Sequence, residues 1–214
     1  MLSFDMEVVD TVNLELHTFH SPEFRSVVNA AIDFFNNTPI QRLPPPESFL
    51  GSGVYSLYYV GDFSLYREIV KKNKIRCLEP IYVGKAVPPG WRTARVRNSS
   101  SKTLYGRLRE HMRSIDEVQN LKVEDFRCRF MILQNVEVDL VVPVEAELIR
   151  KYSPLWNTIV DGFGNHDPGS GRYNQAKSEW DVLHPGRSWA DKLAGAAPKM
   201  EEIRERIKTH LSRS

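Results

Sequence analysis

The sequence predicts an α+β fold, a small antiparallel sheet flanked by helices, on three observations. Short runs rich in aromatic and β-branched residues are separated by stretches of helical periodicity. The strands and helices follow one another without the regular βαβ spacing of a parallel sheet. No segment repeats another, which removes solenoid and propeller architectures.

The elements follow in order. Ser21-Pro22 reads as an N-cap followed by Pro at the first helical position, and Phe24, Val27, Val28, Ala31, Phe34 and Phe35 recur at helical spacing, predicting a helix over 22–36. Residues 36–49 are Pro-rich and read as an irregular connector. Strands are expected at Val54–Val60 and Ile81–Val83, with a short helix between them. A long loop, 87–103, leads to a helix from Leu104 to Ile115, then a strand at Phe126–Leu133 and more extended chain near Val136–Val142. Pro143 suits the first turn of a helix running to Tyr152, and Pro154 stops it. The Gly-rich stretch 161–174 lacks the strand-to-helix GxGxxG spacing of a nucleotide site and reads as a loop. A last amphipathic helix carries Met200, Ile203, Ile207 and Leu211. The chain divides into an N-terminal extension (1–50), a core (51–160) with a basic insertion near 87–103, and a C-terminal extension (161–214), together forming one compact domain.

Composition narrows the function classes. No run reaches the roughly 18–20 apolar residues of a membrane span, and the N-terminus has neither the basic nor the apolar region of a secretory signal. The two cysteines, Cys77 and Cys128, lack metal-ligand spacing and suit a reducing cytoplasm. The formal charge of +2 conceals an asymmetry: residues 1–50 carry two basic against seven acidic groups (−5), whereas 85–113 carry eight basic groups against Glu110 alone (+7). Such a local excess suits a phosphate-binding face.

Helical wheels single out three polar residues. On the 104–115 helix, Leu104, Leu108, Met112 and Ile115 span about 80°. His111 adjoins that apolar arc, about 20° from Leu104, and Arg107 lies roughly 40° beyond His111. Alone, the pair reads more readily as a hydrogen-bonded core histidine beside a snorkelling arginine than as a functional site. On the 143–152 helix, Glu145 falls inside the arc of Val144, Leu148, Ile149 and Tyr152. A carboxylate there needs a partner, either Arg107 in an ion pair or a divalent cation.

These residues resemble the GIY-YIG nuclease superfamily over about 105 residues. Its two tripeptides are matched by Gly53-Val54-Tyr55 and Tyr82-Val83-Gly84, the second within Tyr-Val-Gly-Lys-Ala. Its arginine is matched by Arg107, its glutamate by Glu145 and its asparagine by Asn157. Each tripeptide alone is unspecific, and Tyr59-Val60-Gly61 is a second such triplet; the order of all five elements carries the likeness. Tyr55 and Tyr82 stand 27 residues apart, which departs from the short turn usual in the family. That insertion, the 87–103 loop and His111 one turn after Arg107 look like the type II restriction endonuclease branch.

The resemblance implies a bacterial cytoplasmic enzyme that hydrolyses double-stranded DNA with Mg²⁺ or Mn²⁺, uses no nucleotide cofactor, associates with no membrane, and acts as a homodimer on a GC-rich palindrome such as CCGCGG. Glu145 would hold the metal and Arg107 the phosphate. Tyr55 is the candidate general base, with His111 to accept its proton and Tyr82 to position water or phosphate. Lys85 is a competing base or a phosphate contact. Asn157 would orient a side chain or phosphate, or cap the chain after Pro154. Trp91, Arg92, Arg95, Arg97 and Lys102 are expected to track the duplex, with Arg172 and Lys177 as further contacts. A repair or mobile-element nuclease and a non-catalytic DNA-binding protein are the alternatives.

Overall fold

The computed structural model describes residues 11–88, 90–91 and 101–212. Arg92, Arg95 and Arg97, expected on the DNA backbone, lie outside the described residues. Numbered in chain order, the strands are β1 (Gln41–Arg42), β2 (Ser52–Tyr59), β3 (Tyr82–Ala86) and β4 (Phe126–Leu133), and they form one antiparallel sheet in the order β1-β4-β2-β3. The helices are α1 (Pro22–Asn37), α2 (Arg67–Asn73), α3 (Thr103–Asp116), α4 (Val141–Tyr152), α5 (Leu155–Thr158), α6 (Glu179–Leu183) and α7 (Met200–Leu211).

β2 lies between β4 and β3 and is covered on both faces, so all of its residues are buried. Successive side chains point to opposite faces of a strand. Tyr55, Leu57 and Tyr59 therefore join one core with α3, α5, α6 and α7. Val54 joins the other, with Val83, Met131 and Leu133 against α1 and α4. The result is three layers, with α1 and α4 on one side of the sheet and the remaining large helices on the other. Ile203 and Ile207 of α7 are buried in the first core, so this helix packs on its own chain. Among the described residues, no helix is long and apolar enough to cross a membrane.

Three expectations are corrected. The connector over 36–49 contains β1, whose Gln41 and Arg42 pair with Cys128 and Arg127 of β4. Residues near Val136–Val142 are not extended: Asn135–Leu140 form 3-10 turns and α4 begins at Val141. The valines there follow helical rather than alternating spacing, and Val138, Val141 and Val144 are all buried in the second core. Finally, α1 starts on the Ser21 cap as expected, its hydroxyl accepting from the Phe24 amide at 3.2 Å. Its buried stripe, however, is Val28, Ile32 and Phe35, while Phe24, Val27 and Phe34 face outward at 54%, 47% and 62% exposure.

Candidate active site

β3 is an edge strand, and its alternation distributes the polar residues over two sides of a cleft. Tyr82 points to the face that carries Tyr55 and α3. Lys85 points to the opposite face, where it meets Glu145 of α4. The cleft that straddles this edge has a volume of about 650 Å³, and its walls include Tyr55, Tyr82, Lys85, Arg107, Glu110 and Glu145. Four elements thus deliver the residues that the sequence singled out: β2, β3, α3 and α4.

On the first face, Tyr55 Oη lies 2.6 Å from His111 Nε2. His111 takes the inner position of α3 at 2% exposure, and Met112 sits at the margin of the first core. The Tyr82 ring packs edge-on against His111, with centroids 5.1 Å apart. Burial pushes the Tyr55 phenol well above its ordinary range, with Tyr82 adding to the shift and the Arg107 charge opposing it. Burial also raises Tyr82, again against the pull of Arg107. The same desolvation, then the Arg107 charge, holds His111 well below the ordinary imidazole range. Both members of the Tyr55–His111 pair are accordingly neutral at neutral pH.

Arg107, one turn before His111, reaches the rim of the cleft with its side chain 30% exposed. Its Nη1 donates to Glu110 Oε2 at 2.7 Å and to His166 Nε2 at 2.7 Å. The partner of Glu145 is therefore not Arg107, as one sequence reading had it. Lys85 makes the ion pair instead, because β3 turns Lys85 toward α4 and α3 lies beyond the other face of the sheet. Glu145 is the more enclosed of the two, its side chain 14% exposed.

Asn157 neither contacts the cleft nor caps its own helix. Its Oδ1 accepts from the Val83 amide at 2.7 Å and its Nδ2 donates to the Val83 carbonyl at 2.8 Å. The side chain thus occupies the outer edge of β3 as a neighbouring strand would.

The remaining expected contacts are more dispersed. Lys102 lines the cleft and donates to Ser48 Oγ at 2.8 Å. The Trp91 ring packs against the second core. Lys177 pairs with Asp191 at 2.7 Å, and Arg172 lines a smaller, separate cavity of about 350 Å³ beside His166 and Asp167. Sequence reasoning missed Phe163 and His166, which enter the site from the Gly-rich loop. The signal was present in an aromatic and a histidine placed among glycines, where a purely solvated loop needs neither.

The family model of the Eco29kI GIY-YIG domain matches residues 47–211, which include the sheet from β2 onward, the cleft and the C-terminal helices. The chain belongs to this family. No curated protein matches it. The two GIY-YIG tripeptides, Gly53-Val54-Tyr55 and Tyr82-Val83-Gly84, lie on antiparallel β2 and β3, with Tyr55 opposite Gly84. That register explains the glycine of the second tripeptide: a Cβ there would come within 2.6 Å of Tyr55 Cζ and 3.0 Å of the Tyr82 ring. The glycine of the first has an equivalent reason, since a Cβ on Gly53 would run into the Met131 backbone of β4, 3.0 Å from its carbonyl carbon. The motif is thus a packing condition that brings two tyrosines to one cleft. The chain is a GIY-YIG nuclease of the restriction type, and a nuclease domain implies a DNA-binding face.

Proposed function

We propose that this chain is a type II restriction endonuclease that hydrolyses double-stranded DNA at a short GC-rich palindrome with the help of Mg²⁺ or Mn²⁺. The observation that carries the reading is a single cleft that joins a neutral buried Tyr55–His111 pair, the Arg107 guanidinium and the Glu145 carboxylate. A protein that only binds DNA has no need of a carboxylate beside a phosphate site.

In this reading Tyr55 Oη takes a proton from the attacking water while its own proton passes to His111 Nε2. The water oxygen bonds to phosphorus, the bond from phosphorus to the 3′-oxygen breaks, and that oxygen takes a proton from solvent. The products are a 3′-hydroxyl and a 5′-phosphate. Arg107 offers planar, bidentate donation to the phosphate oxygens. Tyr82 orients the water or the phosphate, and Lys85 is available to contact phosphate once Glu145 takes another partner.

The donor set agrees with a hydrated metal ion. Among the described residues there is no group of three or more His, Cys, Asp or Glu side chains that could enclose a cation, and Glu145 supplies one carboxylate at the cleft wall. Mg²⁺ is commonly held by one or two carboxylates while keeping several waters. When bound, it would neutralise charge that develops on the phosphate and on the leaving oxygen.

A palindromic target calls for a twofold protein, because twofold DNA symmetry is matched by twofold protein symmetry. The outward Phe24, Val27 and Phe34 of α1 offer apolar surface for such a homodimer. Lys102, Arg172 and Lys177 are proposed to contact the duplex.

The experiment is incubation of the protein with a long, fully sequenced DNA containing CCGCGG sites, with Mg²⁺ or with EDTA, followed by sequencing of the ends. Discrete fragments sharing one short palindrome, formed only with metal, support the proposal. Cleavage confined to branched or damaged DNA would make it a repair nuclease, and salt-sensitive binding with no cleavage would make it a binding protein.

A further inference from the structure

We propose that the 162–166 loop is part of the active site and that His166 is a positioning residue that holds Arg107 toward the scissile phosphate. The inference rests on the phosphate-binding reading of Arg107 given above.

A guanidinium can only donate hydrogen bonds, so the 2.7 Å contact requires His166 Nε2 to accept and places the imidazole proton on Nδ1. His166 therefore meets Arg107 as a neutral acceptor. This matters for a residue that must meet an anion. A second carboxylate at that position would orient the guanidinium but also neutralise it, whereas a neutral imidazole orients it and leaves its charge for the phosphate. Glu110 and His166 approach Nη1 from different parts of the chain, one from the same helix and one from 59 residues away. Together they fix the Nη1 end of the guanidinium, whose charge also acts on the Tyr55 phenol at the cleft. A long arginine side chain carries considerable rotamer entropy, and two fixed acceptors remove much of that freedom before substrate arrives.

An exposed contact of this kind would carry little if its loop were loose. It is not. Arg187, at 1% exposure, donates to the backbone carbonyls of Gly162, Phe163 and Asn165 at 2.9, 3.2 and 3.1 Å. It pairs with buried Asp181 at 2.7 Å, and its guanidinium lies 4.5 and 4.6 Å from the ring centres of Trp180 and Trp189. A buried cation must be paired and hydrogen-bonded to be tolerated in a protein interior, and here three of its hydrogen bonds converge on the loop that ends at His166. The loop touches the chemistry a second time: Phe163 stacks nearly flat on His111, centroids 4.6 Å apart at 16°, and meets Tyr82 edge-on at 5.0 Å. The C-terminal extension thus holds both the proton acceptor of Tyr55 and the guanidinium of Arg107.

The test measures single-turnover cleavage of plasmid DNA, with DNA affinity measured separately in EDTA, for wild type, His166→Ala, His166→Gln, Arg107→Ala and the double variant His166→Ala/Arg107→Ala. Thermal unfolding verifies that each is folded. His166→Ala is expected to slow cleavage by roughly 10- to 100-fold with little change in DNA affinity. Gln, whose side-chain oxygen can reach the place of Nε2, should recover most of the rate. In the Arg107→Ala background the His166→Ala change should cost nothing further, since a residue that acts through Arg107 has nothing left to act on. Wild-type cleavage by His166→Ala beside an inactive Arg107→Ala would overturn the positioning role alone, as would fully additive losses. Normal cleavage by Arg107→Ala would overturn the phosphate-binding reading, and the inference with it.

Discussion

Tyr55 Oη and His111 Nε2 are 2.6 Å apart, and neither residue is more than 2% exposed. Burial favours the neutral form of each, so the pair stores no charge at rest and needs an incoming water to set its protons in motion. Replacing Tyr55 by Phe keeps the ring packed on Gly84 and removes only the hydroxyl. Cleavage is expected to fall at least about 100-fold with DNA binding preserved, while the buried His111 Nε2 left without this partner lowers stability by about 1–3 kcal/mol. Near-normal single-turnover rates for this variant would remove Tyr55 from the base role and leave Lys85 as the candidate.

The same burial makes a prediction about acid stability. His111 is held well below 6.5 by desolvation first and Arg107 second, and His184 is held at about 3 by desolvation first and Arg187 second. His184 is fixed between Tyr66 Oη at 2.5 Å and Asn120 Oδ1 at 2.8 Å, which satisfies both ring nitrogens in the neutral form. With folded pKa values depressed, both histidines are neutral in either state above pH 6.5 and contribute no pH dependence there. Below 6.5 the unfolded chain takes up protons that the folded chain does not, so stability falls as the pH falls. For His184 the loss should reach about 2 kcal/mol at pH 5, and His111 adds to it in the same direction. Urea midpoints at pH 7, 6 and 5 measure it, and His184→Gln should flatten the slope. A wild-type midpoint that stays constant across this window would contradict the assignment.

Glu145 and Lys85 supply a prediction about metal. Since Lys85 is the resident partner of Glu145, a divalent cation must compete with an ammonium for the carboxylate. Lys85→Met is therefore expected to tighten Mn²⁺ binding to the DNA-free protein several-fold, as like-charge repulsion is removed, while lowering the cleavage rate. Glu145→Gln should abolish the Mn²⁺ signal and reduce cleavage roughly 100-fold or more. Electron paramagnetic resonance of Mn²⁺ titrations reads the binding directly. Unchanged Mn²⁺ affinity in Glu145→Gln would place the cation elsewhere.

Much of this cleft was legible in the sequence because its residues break the periodicity of the elements that carry them. His111 interrupts the apolar face of α3 and Glu145 that of α4, and a polar group among apolar neighbours announces a partner before the partner is known. What the wheels could not give was the partner across the fold. Lys85 rather than Arg107 meets Glu145 because that depends on which face of β3 each helix covers, and a five-residue strand does not reveal this. The Val136–Val142 segment reads as extended because valine favours strands, yet it forms 3-10 turns and the start of α4, with Val138 and Val141 buried. Phe163 and His166 sit in an irregular loop that has no period for a residue to violate, so only their company among glycines marks them, and Arg187 is recognised only when its burial is seen.

Asn157 distinguishes a structural clamp from a substrate contact. β3 pairs with β2 along one edge only, and Asn157 closes the other at Val83, between Tyr82 and Gly84, by one accepted and one donated hydrogen bond. Trp156 extends the same edge, its amide donating to the Ile81 carbonyl at 2.9 Å. Asn157→Ala leaves a backbone donor and a backbone acceptor without these partners, which should cost about 1–3 kcal/mol in urea unfolding. Cleavage should fall as Tyr82 loses its fixed position, while DNA affinity measured in EDTA stays near that of the wild type. Asn157→Asp should do no better than Ala, because its carboxylate keeps the acceptor for the Val83 amide but faces the Val83 carbonyl with a second acceptor. If Asn157 instead bound phosphate, the alanine variant would lose DNA affinity at unchanged stability. The two measurements on this one variant therefore separate the roles.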